Sequence, residues 1–271
     1  MTSALYGVGT GIWLDSLGKV TDPGLAIIAP LAFGVAMPVG VYFLDDNVNL
    51  HRGVPASIST GLLLGALEGA SISGLQWQFT GGPRESDSQW KFHTWTTLTW
   101  LGATGGGLGG YVFGEWLRPD VRTLTFITSG AGWGAASGLM FGAGVQPGDW
   151  KDGGSVGGFV GMNLGIAATG ALSLVYTPSY NAQKWMWIGY AAGTAAGCIV
   201  YPFYLASDAS PQHGLIANAL GGLAGVGLAA IFAGQMSDDD PSSKKAFNPP
   251  FQLGASPTPG GGTAVTAFGT F

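Results

Sequence analysis

The chain has 271 residues, of which 46% are apolar and only 9% are Asp, Glu, Lys or Arg, with 49 glycines besides. Soluble domains carry about 25% charged residues, so charge this sparse argues against a water-soluble protein of this size. The formal net charge of −5, without any basic stripe, argues against a nucleic-acid partner.

The first residues, "MTSALYGVGTGIWLDSL", lack a basic n-region and a cleavage site, so no secretory signal is expected there. A short apolar segment covers about 3–14. Weakly polar, nearly charge-free segments then recur at 24–44, 55–77, 95–116, 120–144, 154–176, 179–204 and 212–235. As helices, segments of about 20 residues cross a hydrocarbon layer of ~30 Å. Loops such as "DDNVNLHRG", "TGGPRESDSQWK" and "QPGDWKDGG" hold nearly all the charge. The mean hydropathy of +0.32 is modest for such a protein because Gly, Ser and Thr replace Leu and Ile.

Proline marks several segment starts: Asp22-Pro23, Val54-Pro55, Arg118-Pro119-Asp120, Thr177-Pro178 and Ser210-Pro211. Proline suits a first helical turn, where its missing N–H would have no partner anyway. Beyond residue 236 the chain becomes polar and Pro/Gly-rich. Residues 1–236 are therefore read as a membrane domain and 237–271 as a C-terminal tail, expected to be mobile.

Glycines recur every four residues, which places them on one helix face. The rows are Gly61, Gly65 and Gly69; Gly102, Gly106, Gly110 and Gly114; Gly130, Gly134, Gly138 and Gly142; Gly157, Gly161 and Gly165; and Gly189, Gly193 and Gly197. Such rows let backbones approach closely, and in lipid that packing drives helix association. They also expose a repeat. Gly102 and Gly106 map onto Gly161 and Gly165 at an offset of 59, and these map onto Gly221 and Gly225 at 60. Gly61, Gly65 and Gly69 map onto Gly130, Gly134 and Gly138 at 69. The expected fold is an all-α polytopic membrane protein: about eight glycine-zipper transmembrane helices in four repeated hairpins, at about 1–44, 53–116, 118–176 and 178–236.

The competing fold is an outer-membrane β-barrel. The chain ends "TAVTAFGTF", like the C-terminal aromatic signal of such barrels. "GLQWQF" and "KWMWIGY" could be strands with interfacial aromatics. Segments such as "GLAIIAPLAF" lack the alternation that wets a barrel lumen, which favours helices. Trp77, Trp90, Trp95, Trp116, Trp150 and Trp185 fall at segment ends, as in an aromatic belt. Loop cations give no orientation: Arg52, Arg118, Arg122 and Lys184 balance Lys19, Arg84, Lys91 and Lys151. Lys244 and Lys245 in the tail tip the balance towards cytoplasmic termini. The location expected is a membrane of a bacterial envelope, inner and outer not being distinguished.

Chemistry-bearing residues are few. Glu68 lies mid-segment in "GLLLGALEGASISG", where a carboxylate is costly and so a candidate pathway residue. Asn163 and Asn218 are the other deep polar groups, expected to bond between helices. Asp15 and Glu115 fall near segment ends. His51, His93 and His213 share no metal-ligand spacing. Cys198 reads as a small buried apolar residue. "GATGGG" and "GTGIW" follow no strand of a βαβ unit, so a dinucleotide site fails on context. No catalytic, cofactor or metal site is expected. The partners expected are the lipid bilayer and further copies of the chain. The function expected is a structural or pore-forming membrane component, the alternative being a small-solute or ion transporter with Glu68 near its pathway. A lipid-directed enzyme ranks last.

Overall fold

The computed structural model describes residues 1–47, 50, 53–80, 90–146, 150–207, 210–237, 252–257 and 263–268. His51, Arg52, Arg84, Lys244, Lys245 and Phe271, and the Trp150 side chain, lie outside what is described. The chain divides into two compact units, Met1–Gln235 and Met236–Phe271.

Among its described residues, the regular elements of the first unit are all helices. Its elements are α1 (Thr2–Leu17), α2 (Ile28–Asn47), α3 (Val54–Phe79), α4 (Phe92–Leu117), α5 (Val121–Val145), α6 (Trp150–Ser173), α7 (Tyr180–Gly197), α8 (Tyr201–Leu205) and α9 (Gly214–Ala233). A 3₁₀ turn, Cys198–Val200, joins α7 to α8, and another, Pro211–His213, leads into α9. This argues against the β-barrel. "GLQWQF" closes α3 and "KWMWIGY" lies within α7, so their aromatics sit on helices. The four-residue glycine spacing is one helical turn, not two strand repeats.

Among the described residues, four stretches are long and apolar enough to cross a membrane: Val54–Phe79, Lys151–Ser173, Tyr180–Leu205 and Pro211–Ala233. That fits an integral membrane protein. Helices α4 and α5 are equally long, at 26 and 25 residues, but their threonines, serines and glycines lower their hydropathy. Helix α1 has 16 residues, about 24 Å at 1.5 Å per residue.

Local chemistry fixes the helix starts. The Asp120 side chain caps α5 by accepting from the Arg122 N–H at 3.0 Å, and Ser179 caps α7 by accepting from the Ala182 N–H at 3.1 Å. Pro119 and Pro178 each stand one residue before their cap. Asp22 instead accepts from the Gly24 and Leu25 N–H groups at 2.8 and 3.1 Å. That bond holds a turn, so α2 begins at Ile28 rather than at residue 24. Pro38 lies within α2 without ending it, a tolerance that membrane helices show. Before α3, Gly53 has φ +96°, and a Cβ there would collide with the Pro119 carbonyl.

The helices pack in sequential pairs, α1 with α2, α3 with α4, α5 with α6 and α7 with α9. The pairs then lie in a row. Helix α1 packs on α4, α3 on α6 and α5, and α5 on α9 and α7. The second unit contains an antiparallel strand pair, β1 (Gln252–Pro257) and β2 (Thr263–Phe268), with Gln252 opposite Phe268 and Pro257 opposite Thr263. The reading of 237–271 as a polar tail held no paired strands.

Hydrogen bonds from Arg122, first to its backbone N–H and then to its side chain, hold the Asp120 carboxyl below its ordinary range. A lowered folded-state value means the cap stabilises above the unfolded value, near 3.9, and fades as pH falls through the folded one. Asp120→Ala should cost about 1 kcal/mol at neutral pH, with a smaller difference from the unsubstituted protein near pH 2–3. Thermal unfolding in detergent at the two pH values measures it.

Candidate functional site: glycine seams and mid-span polar groups

Each helix pair meets along glycine backbone. Between α3 and α4, a Cβ on Gly61 would collide with the Gly106 carbonyl, on Gly65 with that of Gly102, and on Gly69 with that of Leu98. The relation is reciprocal for Gly102 and Gly106, while Gly110 meets the Ser57 carbonyl and Gly114 meets Val54 and Ser57. Between α5 and α6, Gly134 faces Gly161, Gly138 faces Gly157, Gly142 faces Gly153, and Gly130 faces Thr169 and Gly165. Between α7 and α9, Gly189 faces Gly225, Gly193 faces Gly221, and Gly197 meets Ala217 and Asn218. Contacts between a carbonyl and a facing Cα add weak Cα–H···O attraction to dispersion. The α1–α2 pair is less regular: Gly7 meets Phe33 and Gly34, and Gly11 meets Ala29 and Pro30.

Different chemistry joins one pair to the next. From α1 to α4, the Trp13 Nε1–H donates to Thr97 Oγ1 at 3.0 Å and the Trp100 Nε1–H to Thr10 Oγ1 at 3.1 Å. Tyr6 bonds Thr104 at 2.8 Å and Ser16 bonds Thr96 at 2.6 Å, hydroxyl to hydroxyl. The Trp13 and Trp100 rings stack with centroids 4.0 Å apart. From α5 to α7, the Trp187 Nε1–H donates to Ser129 Oγ at 3.0 Å, and Ser137 bonds Tyr190 at 3.1 Å. Gln78 donates from α3 to Asp152 of α6 at 2.8 Å. Phe126, Trp133, Met186 and Tyr190 form the buried apolar cluster between these pairs. The spacing of Tyr6, Thr10 and Trp13 on one face of α1 is the signal that would have found this ladder.

Among the polar groups singled out from sequence, Glu68 is half-buried in the middle of α3. Among the described residues it has no hydrogen-bond or ion-pair partner. Asn218 donates from α9 to the Tyr201 hydroxyl of α8 at 3.4 Å, and its Oδ1 is buried without a partner. Asn163 is exposed on α6 and donates to the Phe159 carbonyl of its own helix at 3.1 Å. Among the described residues, no hydrogen bond joins any two of these three groups. Asp15 keeps one buried, unpartnered oxygen. His213 donates from Nδ1 to the Gly144 carbonyl at 2.9 Å. Cys198, expected to be buried, is exposed in its 3₁₀ turn. Trp77, Trp90, Trp116 and Trp185 are exposed at helix ends. No group of three or more His, Cys, Asp and Glu is assembled among the described residues. A groove of about 840 Å³ between α5, α6 and α9 is lined by Gly130, Gly134, Gly161 and apolar side chains.

No known protein family, curated protein or solved structure matches the chain.

Neighbouring glycines on α4 separate close packing from glycine content. A Cβ at Gly105 would meet nothing within 4 Å, whereas at Gly106 it would collide with the Gly61 carbonyl. Gly105→Ala should be neutral or stabilising by about 0.5–1 kcal/mol, through lower unfolded-state entropy. Gly106→Ala should lose about 1–3 kcal/mol. Thermal melts of the two variants in one detergent make the comparison, and equal effects would remove the seam from consideration.

Proposed function

We propose that the protein is a structural component of a bacterial envelope membrane, built from four repeated glycine-zipper hairpins and assembled into oligomers. The observation that carries this reading is the common pairing register of the seams. Gly61 against Gly106, Gly130 against Gly165 and Gly189 against Gly225 are equivalent positions under the offsets of 69, 59 and 60. Gly65–Gly102, Gly134–Gly161 and Gly193–Gly221 follow at the next helical turn. Random glycine enrichment would not put equivalent residues opposite equivalent residues in three helix pairs. In this reading α4 and α5 cross the membrane with their neighbours, their polar side chains turned towards other helices. No group in the chain is assigned a catalytic role, and no cofactor is invoked.

A second reading, a small-solute or ion pathway, rests on Glu68. A carboxyl halfway along a membrane helix without a partner marks a pathway by default, and helix repeats suit transporters. Asn163 and Asn218 would be the accompanying polar groups.

The two readings separate by substitution. In the scaffold case, Gly106→Leu or Gly134→Leu should abolish the folded monomer and all higher assemblies, while Glu68→Gln leaves both unchanged. In the pathway case, Glu68→Gln should abolish solute or ion flux into proteoliposomes without changing the melting temperature. Native mass spectrometry, thermal melts and a flux assay on the same preparations read every outcome.

A further inference from the structure

The row of helix pairs is built with one repeated contact. The first helix of each pair packs on the second helix of the next: α1 on α4, α3 on α6, α5 on α9. Repeat-equivalent residues line the junction with the next pair each time. The seams set the equivalence: a Cβ on Gly7 would collide with the Phe33 carbonyl and one on Gly11 with the Ala29–Pro30 backbone, just as on Gly65 and Gly69 it would collide with the carbonyls of Gly102 and Leu98, so Phe33 and Ala29 answer to Gly102 and Leu98. By that register Tyr6, Leu64 and Trp133 share a position. So do Thr10, Glu68 and Ser137, and so do Trp13, Ser71 and Met140. Tyr6, Thr10 and Trp13 bond the α4 residues Thr104, Trp100 and Thr97. Leu64 and Ser71 border the groove against α6. Trp133 and Met140 pack in the cluster shared with α7 and α9.

The fourth pair carries the same face without a partner. Its equivalents are Ala192 and Ala196 of α7 and Ile199 of the 3₁₀ turn that follows it, all exposed, Ile199 at 69%. At the other side of the row, α2 packs on α1 with no more than marginal contact to other elements. Its equivalents of Thr97, Trp100 and Thr104 are Ile28, Leu31 and Val35, exposed at 58%, 60% and 66%. Ala32 and Ala36 beside them are exposed as well. Both outer faces are therefore halves of a contact that the chain makes three times internally.

Resting on the repeat reading above, we propose that copies of this chain associate head to tail, the α7 face of one copy seated on the α2 face of the next. Continuity with the internal contact selects the occupant: the face that covers α4, α6 and α9 within the chain is the one that covers α2 between chains. The register pairs Ala196 with Leu31 and Ala192 with Val35. Alanine on α7 leaves room for the larger side chains of α2, so the two helices can approach closely in lipid. Such a contact uses different surfaces on the two partners, so it generates a ring or an open filament rather than a twofold dimer.

Disulfide trapping in native membranes tests the arrangement. In a Cys198→Ser background, one tagged copy carries Ala196→Cys and a differently tagged copy carries Leu31→Cys. Cysteines bridge only when their Cα atoms lie within about 7 Å. Oxidation should give a covalent dimer bearing both tags. A single chain with both cysteines should give a ladder of multimers, and adding Ala192→Trp should erase that ladder without lowering the melting temperature. Dimers formed equally by Ala196→Cys alone or Leu31→Cys alone would mean a twofold contact and overturn the proposal, as would absence of any mixed dimer. If Gly106→Leu and Gly134→Leu unfold the monomer but no mixed dimer forms, the repeated hairpin stands and the head-to-tail contact falls. If those leucine variants fold normally, the hairpin reading falls first.

Discussion

Everything in the first unit depends on backbone touching backbone. Apolar side chains gain nothing by leaving lipid for one another, since lipid tails are equally apolar. What helices can gain is dispersion at short range and satisfied polar groups. The Gly134–Gly161 and Gly138–Gly157 contacts of α5 and α6 bring carbonyl oxygens onto facing glycines, a distance that no side chain would permit. The cost is that glycine weakens a helix in water, by roughly 1 kcal/mol per residue relative to alanine. Lipid lifts part of that cost, because a backbone without water must bond to itself and helix is the available form. A composition that would undermine a soluble helix is therefore workable here.

Two kinds of attraction divide the labour. Inside a pair, glycine seams provide shape with almost no polar side chains. Between pairs, hydroxyls and indoles provide bonds with direction. Trp13 and Trp100 exchange hydrogen bonds with threonines on opposite helices while their rings stack. A bond of this kind is worth a modest amount in membranes, on the order of 0.6 kcal/mol, yet an indole N–H left bare in lipid would cost more. The bonds thus fix which face meets which neighbour more than they add stability. Trp187 with Ser129, and Tyr190 with Ser137, do the same between α5 and α7.

The helix positions were legible because charge, Glu68 apart, gathers in loops and in the end turns of helices, and the packing faces were legible because glycine recurs at one-turn spacing. The glycine rows on α3 and α4 read as one motif each, and their partners follow once short loops join consecutive helices. Other features were not legible for physical reasons. The start of α2 was displaced because Asp22 can hold a turn as readily as a helix end. Cys198 was expected inside because apolar neighbours usually mean burial, whereas in lipid an apolar surface points outward. The α1–α4 ladder was missed because threonine and tryptophan in an apolar segment have no fixed partner until the pairs are placed in a row. Of the two tail strands, β2 falls within "TAVTAFGTF", which reads as strand-like in sequence, whereas β1, "QLGASP", has no β-branched or aromatic residue to mark it.

The open glycines show how the same residue serves two purposes. Gly106 is required by its neighbour's carbonyl, while Gly105 and Gly109 face open space, so the density of glycine in "GATGGGLGGYVFG" exceeds what one seam needs. A similar contrast holds at the position shared by Thr10, Glu68, Ser137 and Ala196. Thr10 accepts from an indole of the next pair and Ser137 bonds a tyrosine there. Ala196 is exposed on α7. A hydroxyl at this position suits a neighbour that offers an N–H or O–H, and alanine suits a neighbour that approaches closely. A carboxyl suits neither, since a charge is costly in lipid. Under the proposed repeat Glu68 therefore stands apart from Thr10, Ser137 and Ala196, and packing alone gives no reason for a carboxyl there.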